Sequence, residues 1–183
     1  MEPEPPEPAE PLEPLEPARG EAARAEAARL IDQLRRAHDG DPWHGSPVKE
    51  ILKGVTAEQA AWRPPNGAHS IWELVLHMTG WRNEVAERVT GKPAGEPSAG
   101  DYPDVGDPTP ARWKAAVDAL DAAHRRLVEV TRELSEGVVY RPTKDPRDRA
   151  RGTGVTVYEL LHGIVQHDAY HAGQIALIRR IRG

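Results

Sequence analysis

The stretch VTVYELLHGIVQHDAYHAGQIALIRRIR, residues 155–182, repeats its apolar residues at helical and not at strand period. Leu160, Ile164, His167, His171, Ile175 and Ile178 are spaced 4, 3, 4, 4 and 3, which places them along one stripe of a single long helix. A helix of this kind needs another apolar surface to bury its stripe, and since the chain shows no convincing strand pair, the partners are expected to be helices. Two of the six stripe positions are imidazoles, which demand a partner wherever they are buried.

Three further helical patterns supply the packing partners. Residues 20–38, GEAARAEAARLIDQLRRAH, are rich in Ala, Arg and Glu and stop before Gly40 and Pro42. Residues 71–90, IWELVLHMTGWRNEVAERVT, follow Ser70, and Glu73 completes a capping box with it. Residues 111–134, ARWKAAVDALDAAHRRLVEVTREL, run up to Gly137. Between the first and second lie a turn-rich stretch with one short helix opened by Ser46 and Pro47, and a helical turn in TAEQAAW ended by Pro64 and Pro65. GKPAGEPSAGDYPDVGDPTP and YRPTKDPRDRARGTG read as loops. The expected fold is all-α, a four-helix bundle with elaborated loops over residues 20–183.

Residues 1–19, MEPEPPEPAEPLEPLEPAR, hold seven of the 18 prolines and read as a solvated Pro/Glu-rich tail, disordered and polyproline-like. Taking the tail's six Glu and Arg19 from 29 acidic and 24 basic residues leaves 23 of each in 20–183. That balance gives no support for nucleic-acid binding. No apolar run nears the ~20 residues of a membrane span, and the acidic start is unlike a secretory signal. The expected location is cytoplasmic. With no cysteine, thiolate nucleophiles and Cys-based zinc sites are excluded.

On residues 71–90, Leu74, His77, Trp81 and Val85 are spaced 3, 4 and 4, so His77 also faces inward. His167 and His171 sit one turn apart and can bind one ion, with His77 supplying a third nitrogen from a facing helix. Three neutral imidazoles at ~2.0–2.1 Å with an open fourth position describe a catalytic-type zinc site. Separate burial of three imidazoles needs three separate partners, whereas one divalent cation satisfies all of them. Nickel, cobalt or iron could occupy the same nitrogens.

The HxxxHxGQI pattern in the last helix, with a lone His inside IWELVLHMTGW, resembles the DinB/YfiT-like superfamily of metal-dependent four-helix bundles. The resemblance extends to the WHG turn near residue 44 and covers most of residues 20–183. It implies a metal site at His77, His167 and His171, and a homodimer. It also implies an activity on a small molecule, since relatives include transferases and isomerases that use bacillithiol, mycothiol or glutathione.

Other residues have weaker claims. His124 lies near the stripe Val117, Leu120, Leu127 and could be a fourth ligand, although Ala123 competes for the position. His162 lies about 140° around the helix from His167 and should not share its ion. Asp168 points about 100° from His167 and is either a surface charge or a partner of that ligand. Glu73 could orient His77, although the cap already explains it. HDAYH is not HExxH, so the general base of the zincin proteases is missing. His44 and His69 could line the pocket mouth. A pocket walled by the PWHG turn and the 92–110 loop would bring Trp43, His44 and Tyr102 to a small substrate, and Tyr170 on the last helix either donates a hydrogen bond to it or simply packs. Two chemistries remain open: the ion activates water for hydrolysis, or it activates a low-molecular-weight thiol cosubstrate for transfer. A binding or stress-response module with a non-catalytic metal is the alternative.

Overall fold

A computed structural model describes residues 20–65, 67–143 and 155–182. The expected disorder of residues 1–19 and most of the polar stretch before the last helix lie outside the described residues. Among the described residues there are seven helices and no strand, with one isolated bridge between Pro142 and Thr156. The helices are α1 (Gly20–His38), α2 (Val48–Leu52), α3 (Ala57–Ala61), α4 (Ile71–Val89), α5 (Pro110–Arg132), α6 (Glu136–Val139) and α7 (Val157–Arg182).

Local chemistry sets these boundaries. The Ser70 hydroxyl accepts from Glu73 N while the Glu73 carboxylate accepts from Ser70 N, so the predicted capping box opens α4. Thr56 and Gln59 do the same for α3. Thr156 and Glu159 exchange the same pair of bonds at the start of α7, a box that moves the helix start from the expected 155 to Val157. The third long helix ends at Arg132, and Glu136–Val139 turns separately as α6, which the sequence reading had not distinguished.

The four long helices form a closed ring: α4 packs on α5 and α7, and α1 packs on α5 and α7. The core divides into two apolar clusters. One gathers Ile71, Leu74, Val75 and Met78 of α4, Trp113 and Leu120 of α5, Ile175 and Ile178 of α7, and the short helices α2 and α3. The other gathers Leu30 and Leu34 of α1, Val85 and Val89 of α4, Leu127 of α5, and Leu161 and Ile164 of α7. Both α4 and α5 therefore run from the first cluster to the second, parallel and adjacent. The chain between them must return along the whole length of α4, about 28 Å for 19 residues.

Its contacts record the descent. Gly95 N bonds Glu84 Oε1 at 2.7 Å, and Arg88 Nη2 bonds Gly95 O at 2.7 Å. Pro97 then lies against Gly80, where an added Cβ would stand 2.9 Å from the proline Cβ. Asp101 next reaches Trp81 and His77. The loop's length is thus a topological requirement, and its path carries Asp101 and Tyr102 to the middle of α4.

Candidate metal centre

The three histidines predicted from the helical stripes converge. One ring nitrogen from each of His77, His167 and His171 lies within 4.8 Å of the others. His77 and His171 are buried, while the His167 side chain is 26% exposed and is the face that solvent reaches. His77 Nε2 stands 2.9 Å from His167 Nε2. His77 comes from α4, and its two companions come from successive turns of the antiparallel α7, so one helix pair builds the cluster.

The tautomers follow from the partners. His77 Nδ1 lies 2.9 Å from the Asp101 backbone carbonyl, which can only accept, so Nδ1 carries the proton and Nε2 presents a lone pair. His171 Nδ1 lies 2.6 Å from Gln174 Oε1, which fixes the same tautomer. Burial lowers the pKa of His77, offset in part by its bond to Asp101. Burial likewise lowers His171 to about 4 against the opposing bond to Gln174. Both rings are neutral near pH 7, as imidazole ligands must be. Nitrogen donors with aligned lone pairs suit zinc, nickel, cobalt or iron, so the residues present fit a divalent cation.

Aromatic rings wall the cluster. Tyr102 stacks on His77 with centroids 4.3 Å apart and on its other face meets His69 at 3.6 Å. Trp81 sits edge-on to His77 and His167, and its Nε1 donates to Asp101 Oδ1 at 2.7 Å. Tyr170 packs edge-on against His171 and is largely exposed. Tyr102, Tyr170 and His69 are therefore gathered around the site. Trp43 and His44 are not. They line a separate cavity of about 440 Å³ with Asp32, Arg36 and Val165, and Trp43 is fully exposed there. The turn that holds them follows α1 and faces the α1–α7 side, whereas the cluster faces the returning loop.

A second polar group lies beside the first, and here the sequence reading needs correction. Asp168 is no surface charge: it is 2% exposed and paired with the fully buried Arg82. Arg82 Nε donates to Asp168 Oδ2 at 3.0 Å and Nη2 lies 2.9 Å from the same oxygen. Arg82 Nη1 donates to His38 Nδ1 at 3.2 Å and to the Leu120 carbonyl at 3.3 Å. His38 stacks on His124 with centroids 4.0 Å apart. His124 is thus occupied by His38 and stands outside the three-histidine group. The long helices each contribute one member, His38, Arg82, His124 and Asp168, to a polar layer between the two apolar clusters. Burial, the largest single influence, would raise the Asp168 carboxyl, but Arg82 and His167 together outweigh it and hold the group below its ordinary range.

The remaining assignments resolve locally. Glu73 caps α4 and pairs with Arg63, so its carboxylate is committed away from His77. His162 packs edge-on against Tyr158, 4.4 Å between centroids. Leu160 is half-buried, while Leu161 and Asp168 are buried, because α7 packs on both α1 and α4 and buries more than one stripe. Sequence reasoning missed His38 and Arg82. Leu30, Leu34 and His38 are spaced 4 and 4 on α1, a signal that places His38 on the apolar face.

Comparison with known proteins agrees with this architecture. The family model of the DinB superfamily matches residues 43–175, a span that includes all three clustered histidines. The chain belongs to the DinB superfamily. No curated protein matches it. A helical bundle of this family agrees with the ring of four long helices. No helix among the described residues is long and apolar enough to cross a membrane.

Proposed function

We propose that this DinB-superfamily protein is a metal-dependent transferase that activates a small thiol cosubstrate for attack on a small electrophile. One observation carries the reading: three imidazole nitrogens converge, and the two buried rings place Nδ1 on an oxygen acceptor, which turns their Nε2 lone pairs inward. A divalent cation held there acts as a Lewis acid that lowers the pKa of a coordinated thiol or water.

One feature favours a thiol over water, and with no cysteine in the chain any thiol nucleophile has to arrive as cosubstrate. The carboxylates near the cluster are already engaged: Asp101 with Trp81 and His77, Glu73 with Ser70 and Arg63, and Asp168 with Arg82. Water attack calls for a general base to take its proton, whereas a thiol with a pKa of about 8.5 ionises far more readily. Entry in this reading is over His167, the partly exposed member of the cluster, and the exposed Tyr170 beside His171 offers a ring face and a hydroxyl to a small organic molecule.

The deciding experiment supplies a model electrophile with and without a small thiol, and small esters without thiol, each with and without chelator. Turnover that requires both thiol and metal supports the proposal. Ester cleavage without thiol makes the protein a metal-dependent hydrolase instead. Activity indifferent to chelator and to His77→Ala rejects both, and metal binding without any turnover leaves a binding module.

A further inference from the structure

We infer that Asp168 is the acceptor that fixes the metal-binding tautomer of His167, and that Arg82 holds its carboxylate in place for that task. The inference rests on the metal-centre reading above and deepens it. His77 and His171 each have an Nδ1 acceptor, a backbone carbonyl and a side-chain amide. His167 has none at hydrogen-bond distance. Its Nδ1 is buried without a partner, and so is Asp168 Oδ1, which faces it at 3.8 Å.

The 2.9 Å contact explains that standoff. His77 carries its proton on Nδ1, so the proton between the two Nε2 atoms belongs to His167. A neutral His167 protonated on Nε2 has a lone pair on Nδ1, and two lone pairs then face each other across 3.8 Å. A cation accepting all three Nε2 lone pairs requires His167 to shed that proton. Rebound at Nδ1, a proton meets Asp168 Oδ1, and the ring remains neutral with one proton throughout. Closing from 3.8 Å to hydrogen-bond distance, the two buried atoms would then form a charge-assisted hydrogen bond.

The carboxylate is built for this. Both contacts from Arg82 fall on Oδ2, which leaves Oδ1 for His167. Arg82 cannot swing away, because Nη1 is held by His38 and the Leu120 carbonyl. His38 is held in turn by Asp121 Oδ1 at 2.8 Å. Asp168 is a positioning residue: it acts through His167 and not on substrate.

The test is zinc affinity by competition titration, joined to nitrogen NMR of the histidine rings. Zinc-loaded wild type should show His77, His167 and His171 all protonated at Nδ1. Asp168→Leu, which leaves no acceptor for His167 Nδ1, should weaken zinc binding about 10–100-fold, the effect of losing such a partner. The double variant Arg82→Gln/Asp168→Leu, which leaves no buried charge unpaired, should show the same loss while keeping its helical circular dichroism in chelator. A folded variant with zinc affinity within about twofold of wild type overturns the inference. So does a zinc-loaded wild type whose His167 is protonated at Nε2, a result that needs no variant to fold. Wild type that binds no zinc removes the metal-centre reading itself and this inference with it.

Discussion

The polar layer makes stability depend on pH in a way that can be measured apart from any metal. His38 and His124 are 2% and 6% exposed, and both are lowered to about 3. Burial is the main cause for each. The Arg82 charge adds to it for His38, and His38 and Arg82 add to it for His124. Protonating His38 at Nδ1 would also destroy its bond from Arg82 Nη1 and set two cations 3.2 Å apart. In the unfolded chain the same imidazoles titrate near 6.5. Between these values the unfolded state binds more protons, so stability is present above pH 6.5 and is lost as pH falls toward 3. Each proton contributes about 1.4 kcal/mol per pH unit, so the pair contributes about 3 kcal/mol per pH unit at full effect and about 2–3 kcal/mol between pH 6 and pH 5. That is a large part of a typical 5–15 kcal/mol. The assay is urea unfolding at pH 5, 6 and 7 with chelator present, comparing wild type with His38→Asn/His124→Phe. Asparagine keeps an acceptor for Arg82, and phenylalanine keeps the stack. His77 and His171, also lowered, titrate in both proteins and cancel. Wild type should lose about 2–3 kcal/mol more than the variant between pH 6 and pH 5. Equal pH slopes would refute the reasoning.

Other consequences are simpler to check. Purified protein should hold about one equivalent of divalent metal, lost on His171→Ala or His77→Ala by elemental analysis; full metal in His167→Ala/His171→Ala would show that the ligands lie elsewhere. Ser70→Ala removes the hydroxyl that caps α4 and should lower stability by about 1 kcal/mol, seen as a fall of roughly 2–4 °C in thermal midpoint; an unchanged midpoint would mean that the cap contributes nothing. Gly80→Ala forces a Cβ to within 2.9 Å of Pro97, and should destabilise by about 1–3 kcal/mol despite the better helix propensity of alanine. A more stable variant in denaturant titration would show that the returning loop yields freely.

The three clustered histidines were legible because each lies on an apolar stripe whose period is the helix's own. Imidazole at Leu74–His77–Trp81 and at Ile164–His167–His171 violates the pattern it sits in, and a violation at a core position needs a reason. Asp168 was harder, since a charge next to a ligand and about 100° away reads equally well as solvent-facing. The ring buries it against Arg82 of α4, and which helices are neighbours is a property of the ring and not of any one segment. Arg82 follows Trp81 and looks like the polar edge of an amphipathic helix. His38 looks like a helix terminus before Gly40. The 92–110 loop had the right composition for a loop. Its path along α4, and hence the Asp101 carbonyl on His77, depends on α4 and α5 being parallel, which no local pattern encodes.

The two polar groups are joined at one peptide bond. His167 and Asp168 are consecutive on α7, so the helix turns one toward the partly exposed face and the other into the ring's centre. An ion pair buried between two apolar clusters is weak support for stability, since apolar residues of similar volume pack as well or better. The Arg82–Asp168 pair therefore calls for another reason to be there, and its geometry supplies one. Every contact from Arg82 to the carboxylate lands on Oδ2, and the idle oxygen faces the single cluster histidine that lacks an Nδ1 acceptor. Had the pair served the fold alone, a two-oxygen fork between guanidinium and carboxylate would satisfy both groups better. The arrangement present gives up that fork and keeps Oδ1 for His167.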